Sequence, residues 1–437
     1  AARDGLLTVQ AQFEHAAGNV DIELYDAAGN LLASSRSSTN HERLDLTATE
    51  GQPFLLRVTG IHPQVDIRVT NLVVQVGDTV SVFGTDGDDF FSYQAAERHR
   101  IAVNGVRYSF NSQDVSSIQF EGGGGADRAH IIGSAADETA VLSVGSATLQ
   151  STHFDVSITG TETIIMNSGG GEDQAHFYDS AGDDLFVAHA ERGYSVMQGE
   201  GFRNLARGFH RNDAYATAGG ANDRAYFYDS AGDDIFVAHA EQGYSVMSGE
   251  NYHNSARGFQ RSYAFATAGG GDDRAYFHDS AGDDIFVAHA EHGYSLMRGA
   301  GYRNFARGFH HSYAYATAGG VNDRAYFYDS EGDDVYEANV EGGYSLMRGE
   351  DYSNYARGFH RSYAFAIAGG MDTTIYREIG DGDSLYGRGN YCVLRSTMGE
   401  FLVQNFESVS ARAKDGQRPA EDVAEVDYLF SKLGDWQ

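Results

Sequence analysis

The chain is poor in residues that staple, kink or neutralise a protein. Cys392 is its single cysteine, so no internal disulfide framework is open to it. Prolines number only 3 in 437 residues. Basic residues number 31 against 62 acidic ones, lysine is rare, and the formal net charge is −31. Such a surface repels nucleic acid and anionic lipid, and it suits high salt or divalent cations. No run of about 18 apolar residues occurs, so no membrane span is expected. No signal-peptide pattern follows Ala1, and from the abrupt start a processed or excised piece is expected. GxSxG elbows, P-loops, HExxH and CxxC motifs are absent too.

What the chain has in plenty is glycine (54), tyrosine (27) and phenylalanine (26). Disordered acidic chains lack aromatics, so this composition points to folded structure. Residues 1–72 read as short alternating strands, among them "LLTVQAQF", "VDIELYD", "FLLRVTG" and "VDIRVTNL". Gly, Asn and Asp turns separate them, which argues a small antiparallel β-sandwich. Residues 73–172 carry worn repeats such as "GTDGDDFF" and "GSAADETA". Over 173–370 the repeat is nearly exact. "DRAYFYDSAGDDIFVAHA" at Asp223 has near-copies at Asp173, Asp273 and Asp323, and Asp179 to Asp229 is 50 residues. Residues 371–416 look like degraded coils. In 417–437, Val423, Val426, Leu429, Phe430 and Leu433 fall at helical spacing after Pro419, which predicts a C-terminal helix, either a cap or a docking element.

A fixed period of this length means a solenoid or a propeller, because one unit cannot close a core alone. The fold expected is all-β, a right-handed parallel β-helix with two coils of about 25 residues per repeat. A kelch-like propeller is the alternative. Comparison of the copies sets the sidedness. Phe186, Phe236, Phe286 and Tyr336 hold their character, as do Ala188, Ala238, Ala288 and Ala338, whereas Val187 becomes Glu337 and His189 becomes Asn339. A buried Glu would be costly, so the Phe/Ala side is core. Tyr226 and Tyr228 then face out, and like residues are expected to form ladders with one rung per copy. One such ladder is His189, His239 and His289; another is Tyr226, Tyr276 and Tyr326.

Three features could carry chemistry. The "GDD" turns place Asp183 and Asp184, Asp233 and Asp234, Asp283 and Asp284, and Asp333 and Asp334 in pairs. Paired carboxylates at tight turns suit Ca²⁺; they equally serve as plain turn-formers. The outward rings (Tyr226, Tyr228, Tyr276, Tyr326, Tyr328) and His189, His239 and His289 suit sugar stacking, self-association, or structural ladders. The "ARGF" arginines Arg207, Arg257, Arg307 and Arg357 are expected either to pair with acids of the next rung or to bind an acidic sugar. Catalysis by a β-helix polysaccharide lyase or epimerase would need one rung whose polar set differs from the rest. The odd rung is the last, with Tyr336, Glu337 and Asn339, and it looks worn rather than specialised.

"GNVDIELYDAAGNLLASS" followed by "FLLRVTG" resembles the bacterial pre-peptidase C-terminal (PPC) domain, a non-catalytic accessory sandwich of secreted proteins. Residues of roughly 80–390 resemble the "AGDDTF"-type β-helix repeats of large secreted bacterial surface proteins. The turns also echo the calcium-binding RTX nonapeptide, with fewer glycines. These resemblances imply an extracellular or cell-surface structural or adhesive protein. Its implied partners are other copies of itself in a fibre or layer, or acidic or neutral glycans, with no nucleic acid.

Overall fold

The computed structural model describes residues 1–437 as an all-β solenoid. It divides into two compact units, residues 1–173 with 202–204, and 174–201 with 205–437.

In the first unit, strand Gly5–Gln12 lies between antiparallel partners His41–Ala48 and Asp66–Val76. A second sheet sets Val20–Asp26 between Leu31–Ser35 and Phe54–Gly60. Alternate residues of both sheets, including Leu7, Val9, Ile22, Leu24 and Leu44, interdigitate as the core, as a sandwich requires. The boundary expected at residue 72 falls inside a strand. Asp66–Val76 continues through it and turns back to pair with Thr79–Phe83. That strand starts a parallel ladder through Ser117–Glu121 to Asp155–Thr159. Phe90–Gln94, Arg128–Ile132 and Thr163–Asn167 form the facing ladder.

The second unit holds the near-exact copies. Each carries five strands, which at the second copy are Arg224–Tyr228, Ile235–His239, Tyr244–Gly249, Tyr252–Arg257 and Arg261–Phe265. The first and fifth pair in parallel in one sheet, here the front sheet. The second, third and fourth form an antiparallel meander in the back sheet. The next first strand, Arg274–His278, pairs with Ile235–His239 in the back sheet. A copy therefore visits front, back and front. Two visits make a turn, so one copy is one and a half turns, not the two coils expected. Equivalent strands of successive copies lie in opposite sheets, and the pattern returns to the same sheet only from Arg224 to Arg324. The glycine-flanked segment "NYHNSARGF" contains the fourth strand.

Period-two patterning explains the core. Ala225, Phe227, Phe236 and Ala238 are fully buried, and so are their equivalents in the third copy. The phenylalanines zigzag between the sheets, with ring centroids 5.9 Å apart for Phe227–Phe236, 6.2 Å for Phe236–Phe277 and 5.8 Å for Phe277–Phe286. The glycine of "ARGF" is fixed by the crossing that follows. Gly258 has φ +84°, and a Cβ there would stand 2.1 Å from the Ala216 carbonyl oxygen.

The C-terminal helix does not form. Ala420–Val426 pairs in parallel with Ser384–Gly389, and Leu429–Leu433 with Ser408–Ala413. The last coil offers open backbone donors and acceptors, and pairing satisfies them along the whole segment. A lone helix of about a dozen residues is marginal in water and would leave those edges bare. No propeller blades are present.

Candidate functional site

The two aspartates of each "GDD" turn do different work. The first is exposed and clamps the turn of the next coil. Asp183 Oδ1 accepts from the amides of Ala221 (3.0 Å) and Asn222 (3.1 Å), and Asp283 Oδ1 from Val321 (3.1 Å) and Asn322 (3.0 Å). Asp233 and Asp333 do the same for Gly271 and Met371. Backbone donors hold Asp183 below the usual carboxylate range, and the Asn322 side chain and backbone do so for Asp283.

The second aspartate is buried. Asp184, Asp234, Asp284 and Asp334 are at most 2% exposed. Each accepts from the amide and hydroxyl of the serine four residues earlier, such as Ser230 on Asp234. Each donates its own amide to a third aspartate, such as Asp273 at 2.8 Å. Tyr252, Tyr302 and Tyr352 donate their hydroxyls to Asp234, Asp284 and Asp334. A fourth buried aspartate, Asp229 or its equivalents, accepts from the turn amides of Thr267 and Ala268. These acids crowd one another. Oxygens of Asp329, Asp334 and Asp372 all lie within 4.8 Å. Desolvation, helped by neighbouring carboxylates, pushes Asp273 up to about 6 and Asp372 up to about 7.

Calcium wants six to eight oxygens with free lone pairs. In the triad, Asp329 already accepts from Ile367 and Ala368, and Asp334 from Ser330 and Tyr352. Donors aimed at these oxygens suit hydrogen bonding and a held proton better than a cation. The sequence pattern found the turn pairs. It missed Asp229, Asp273, Asp372 and their equivalents, which lie about 39 residues from their partners, as with Asp234 and Asp273.

The rings make ladders, but not one rung per copy. Because successive copies alternate sheets, first and fifth strands of the same copy meet instead. Tyr226 stacks on Tyr263 at 4.8 Å, Tyr276 on Tyr313 at 4.9 Å and Tyr326 on Tyr363 at 5.1 Å. Tyr228 and Tyr328 stack on Phe265 and Phe365. His189, His239 and His289 never meet. His189 lies on Tyr228 at 5.0 Å, His239 on His278 at 4.8 Å and His289 on Tyr328 at 4.9 Å. Burial lowers the pKa of His189 and His289, which favours neutral rings. Ring faces are thus closed by neighbouring rings, so the ladders offer edges outward rather than stacking platforms.

The "ARGF" arginines Arg207, Arg257, Arg307 and Arg357 are exposed, and none has the ion pair expected across rungs. Arg257 instead lies over the Tyr244 ring at 5.8 Å. The odd copy is used structurally. Glu337 pairs with Arg377 at 3.1 Å, Asn339 caps Gly342, and the buried Tyr336 hydroxyl meets Ser362. Cys392 is buried, and its thiol is pushed up to about 12 by desolvation, which suits packing rather than nucleophilic attack. A concavity of about 820 Å³ lies in the first unit beside Arg43, Tyr93, Arg100 and Tyr108, away from every residue expected from the repeats. No helix is long and apolar enough to cross a membrane. No protein-family model matches the chain, and no curated protein matches it.

Proposed function

We propose that the chain is an extracellular structural or adhesive repeat protein, a component of a surface layer, matrix or filament. One observation carries the reading. The aspartates, histidines and tyrosines that could do chemistry recur copy after copy and are consumed in coil-to-coil contacts. An enzyme concentrates a base, an acid and a substrate clamp at one place. Here the polar groups are spread evenly and serve the stack. The resemblance of residues 1–72 to PPC domains and the acidic charge support an address outside the cell. Calcium enters as a counter-ion of the exposed turn aspartates, chiefly Asp233 and Asp333.

The test is assembly and adhesion together. Sedimentation and electron microscopy of concentrated protein, with and without millimolar Ca²⁺, should reveal fibres or layers; adhesion to immobilised cell-surface material should occur in their absence. A strictly monomeric, non-adherent protein would sink the reading. So would depolymerisation of a uronate polysaccharide with appearance of unsaturated ends, which would establish a lyase.

A further inference from the structure

The alternation of sheets has placed four arginines side by side. Arg224, Arg261, Arg303 and Arg298 occupy one outward row on four adjacent front-sheet strands, in the pairs Arg224–Arg261, Arg261–Arg303 and Arg303–Arg298. Arg224, Arg298 and Arg303 are exposed and Arg261 is half-buried. With strands about 4.8 Å apart, the row runs ~14 Å along the stack. Like charges set directly opposite repel, so the row is a cost to the fold. None of the four has an acid at ion-pair distance, although the chain has twice as many acids as bases. Asp183 feels Arg224 at longer range.

Two back-sheet arginines show how such a charge can be neutralised. On the back sheet, Arg274 pairs with Asp272 and Arg211 with Asp213. At the corresponding front-sheet positions no acid stands: Asn222 precedes Arg224 and Tyr263 follows Arg261, as Asn322 and Tyr363 do in the fourth copy. The hairpin between Arg298 and Arg303 turns at Ala300, where the other three copies carry Glu200, Glu250 and Glu350. The change to Ala300 is the departure peculiar to this row, and it removes a negative charge beside it.

We propose that this row is a binding site for a linear anionic polysaccharide bearing carboxylates or sulfates. Guanidinium groups bind either anion through paired donors. A row along the stack matches a linear polymer presenting one anion after another. Single-stranded nucleic acid needs open ring faces on which bases stack. Beside this row the Tyr226 and Tyr263 faces are closed on each other at 4.8 Å, so no such platform exists. The site deepens the adhesive reading and rests on it only for the setting in which ligand is met. Binding is measured independently of assembly.

Titration calorimetry at low salt would use four probes: polygalacturonate oligomers, heparin oligomers, neutral dextran and oligo-dT. Binding is expected to at least one acidic glycan, weakening with salt, and not to dextran. Comparison of the first two tells carboxylate from sulfate. The double variant Arg261→Gln/Arg303→Gln should weaken binding at least tenfold, and so should Asn222→Asp/Ala300→Glu, which places acids where Asp272, Glu250 and Glu350 stand in other copies. Arg274→Gln on the back sheet should leave affinity unchanged. An unaltered urea midpoint checks that each variant is folded. No binding to either acidic glycan, or binding indifferent to the front-sheet variants, overturns the proposal. Oligo-dT binding as tightly through the same arginines overturns the choice of polysaccharide. Loss of self-association alone in the front-sheet variants overturns it in favour of a second copy.

Discussion

Raising the pH should loosen this solenoid from within, and Asp372 is the place to measure it. Its side chain is 2% exposed, beside Asp329 and Asp334. Around it stand Asp334, whose amide it accepts, Asp329, and Glu407, which accepts the Asp372 amide at 2.7 Å. Desolvation and these charges raise its pKa from 3.8 to about 7. In the unfolded chain the proton leaves near the ordinary value. Between these limits the folded chain holds a proton that the unfolded chain has released. The contribution is therefore fully present below about pH 4, is lost as pH rises through 7, and is constant above. At 1.36 kcal/mol per unit, the change is about 4 kcal/mol. Asp372→Asn copies the protonated state. Its oxygen can accept the Asp334 amide, and its NH₂ can donate to a neighbouring carboxylate. The assay is urea unfolding of wild type and variant from pH 4 to pH 8. The variant should match or trail wild type at pH 4 and exceed it at pH 8, the gap shifting by about 4 kcal/mol. A gap independent of pH would refute the shared-proton account of the triad.

Four further outcomes follow from the packing. Phe236→Ala empties a fully buried position between the sheets and should cost about 3–5 kcal/mol by urea unfolding. Asp229→Ala strands the Thr267 and Ala268 amides and should cost about 2–4 kcal/mol by the same measurement, whereas Asp229→Asn, which keeps an acceptor, should cost less. Gly258→Ala meets both a positive φ and the Ala216 carbonyl, so its melting temperature should fall well below that of Gly271→Ala, which has open space. Millimolar Ca²⁺ against EDTA should move the melting temperature little, because amides and hydroxyls already fill most turn-aspartate oxygens; a large shift with stoichiometric binding would show that the turns reorganise around metal.

Much of this was legible in the residues. Four near-copies set the architecture, and the drift of Val187 to Glu337 against the constancy of Phe186 assigned the core face correctly. Strand order was not legible. A count of turns cannot tell three sheet visits from four, so His189, His239 and His289 looked like a column although they lie alternately in the front and back sheets. The arginine row was hidden for the same reason. Arg261 and Arg303 are 42 residues apart and occupy different repeat positions, so no comparison of like with like joins them. The helical spacing of Val423 to Leu433 was real. It lost to backbone pairing with strands the sequence could not show were waiting.

The half-turn in each copy also governs how such a gene can change. Tandem sequences this similar gain and lose units by slippage and unequal recombination. Adding or deleting one copy here reverses parity, moving every downstream strand to the opposite sheet relative to what precedes it. Rows assembled across copies, such as the four arginines, would be scrambled by a cut of 50 residues inside them, whereas a change of two copies leaves the facing of the remainder intact. Lineages of this protein should therefore differ in length by even numbers of copies wherever a surface row is in use.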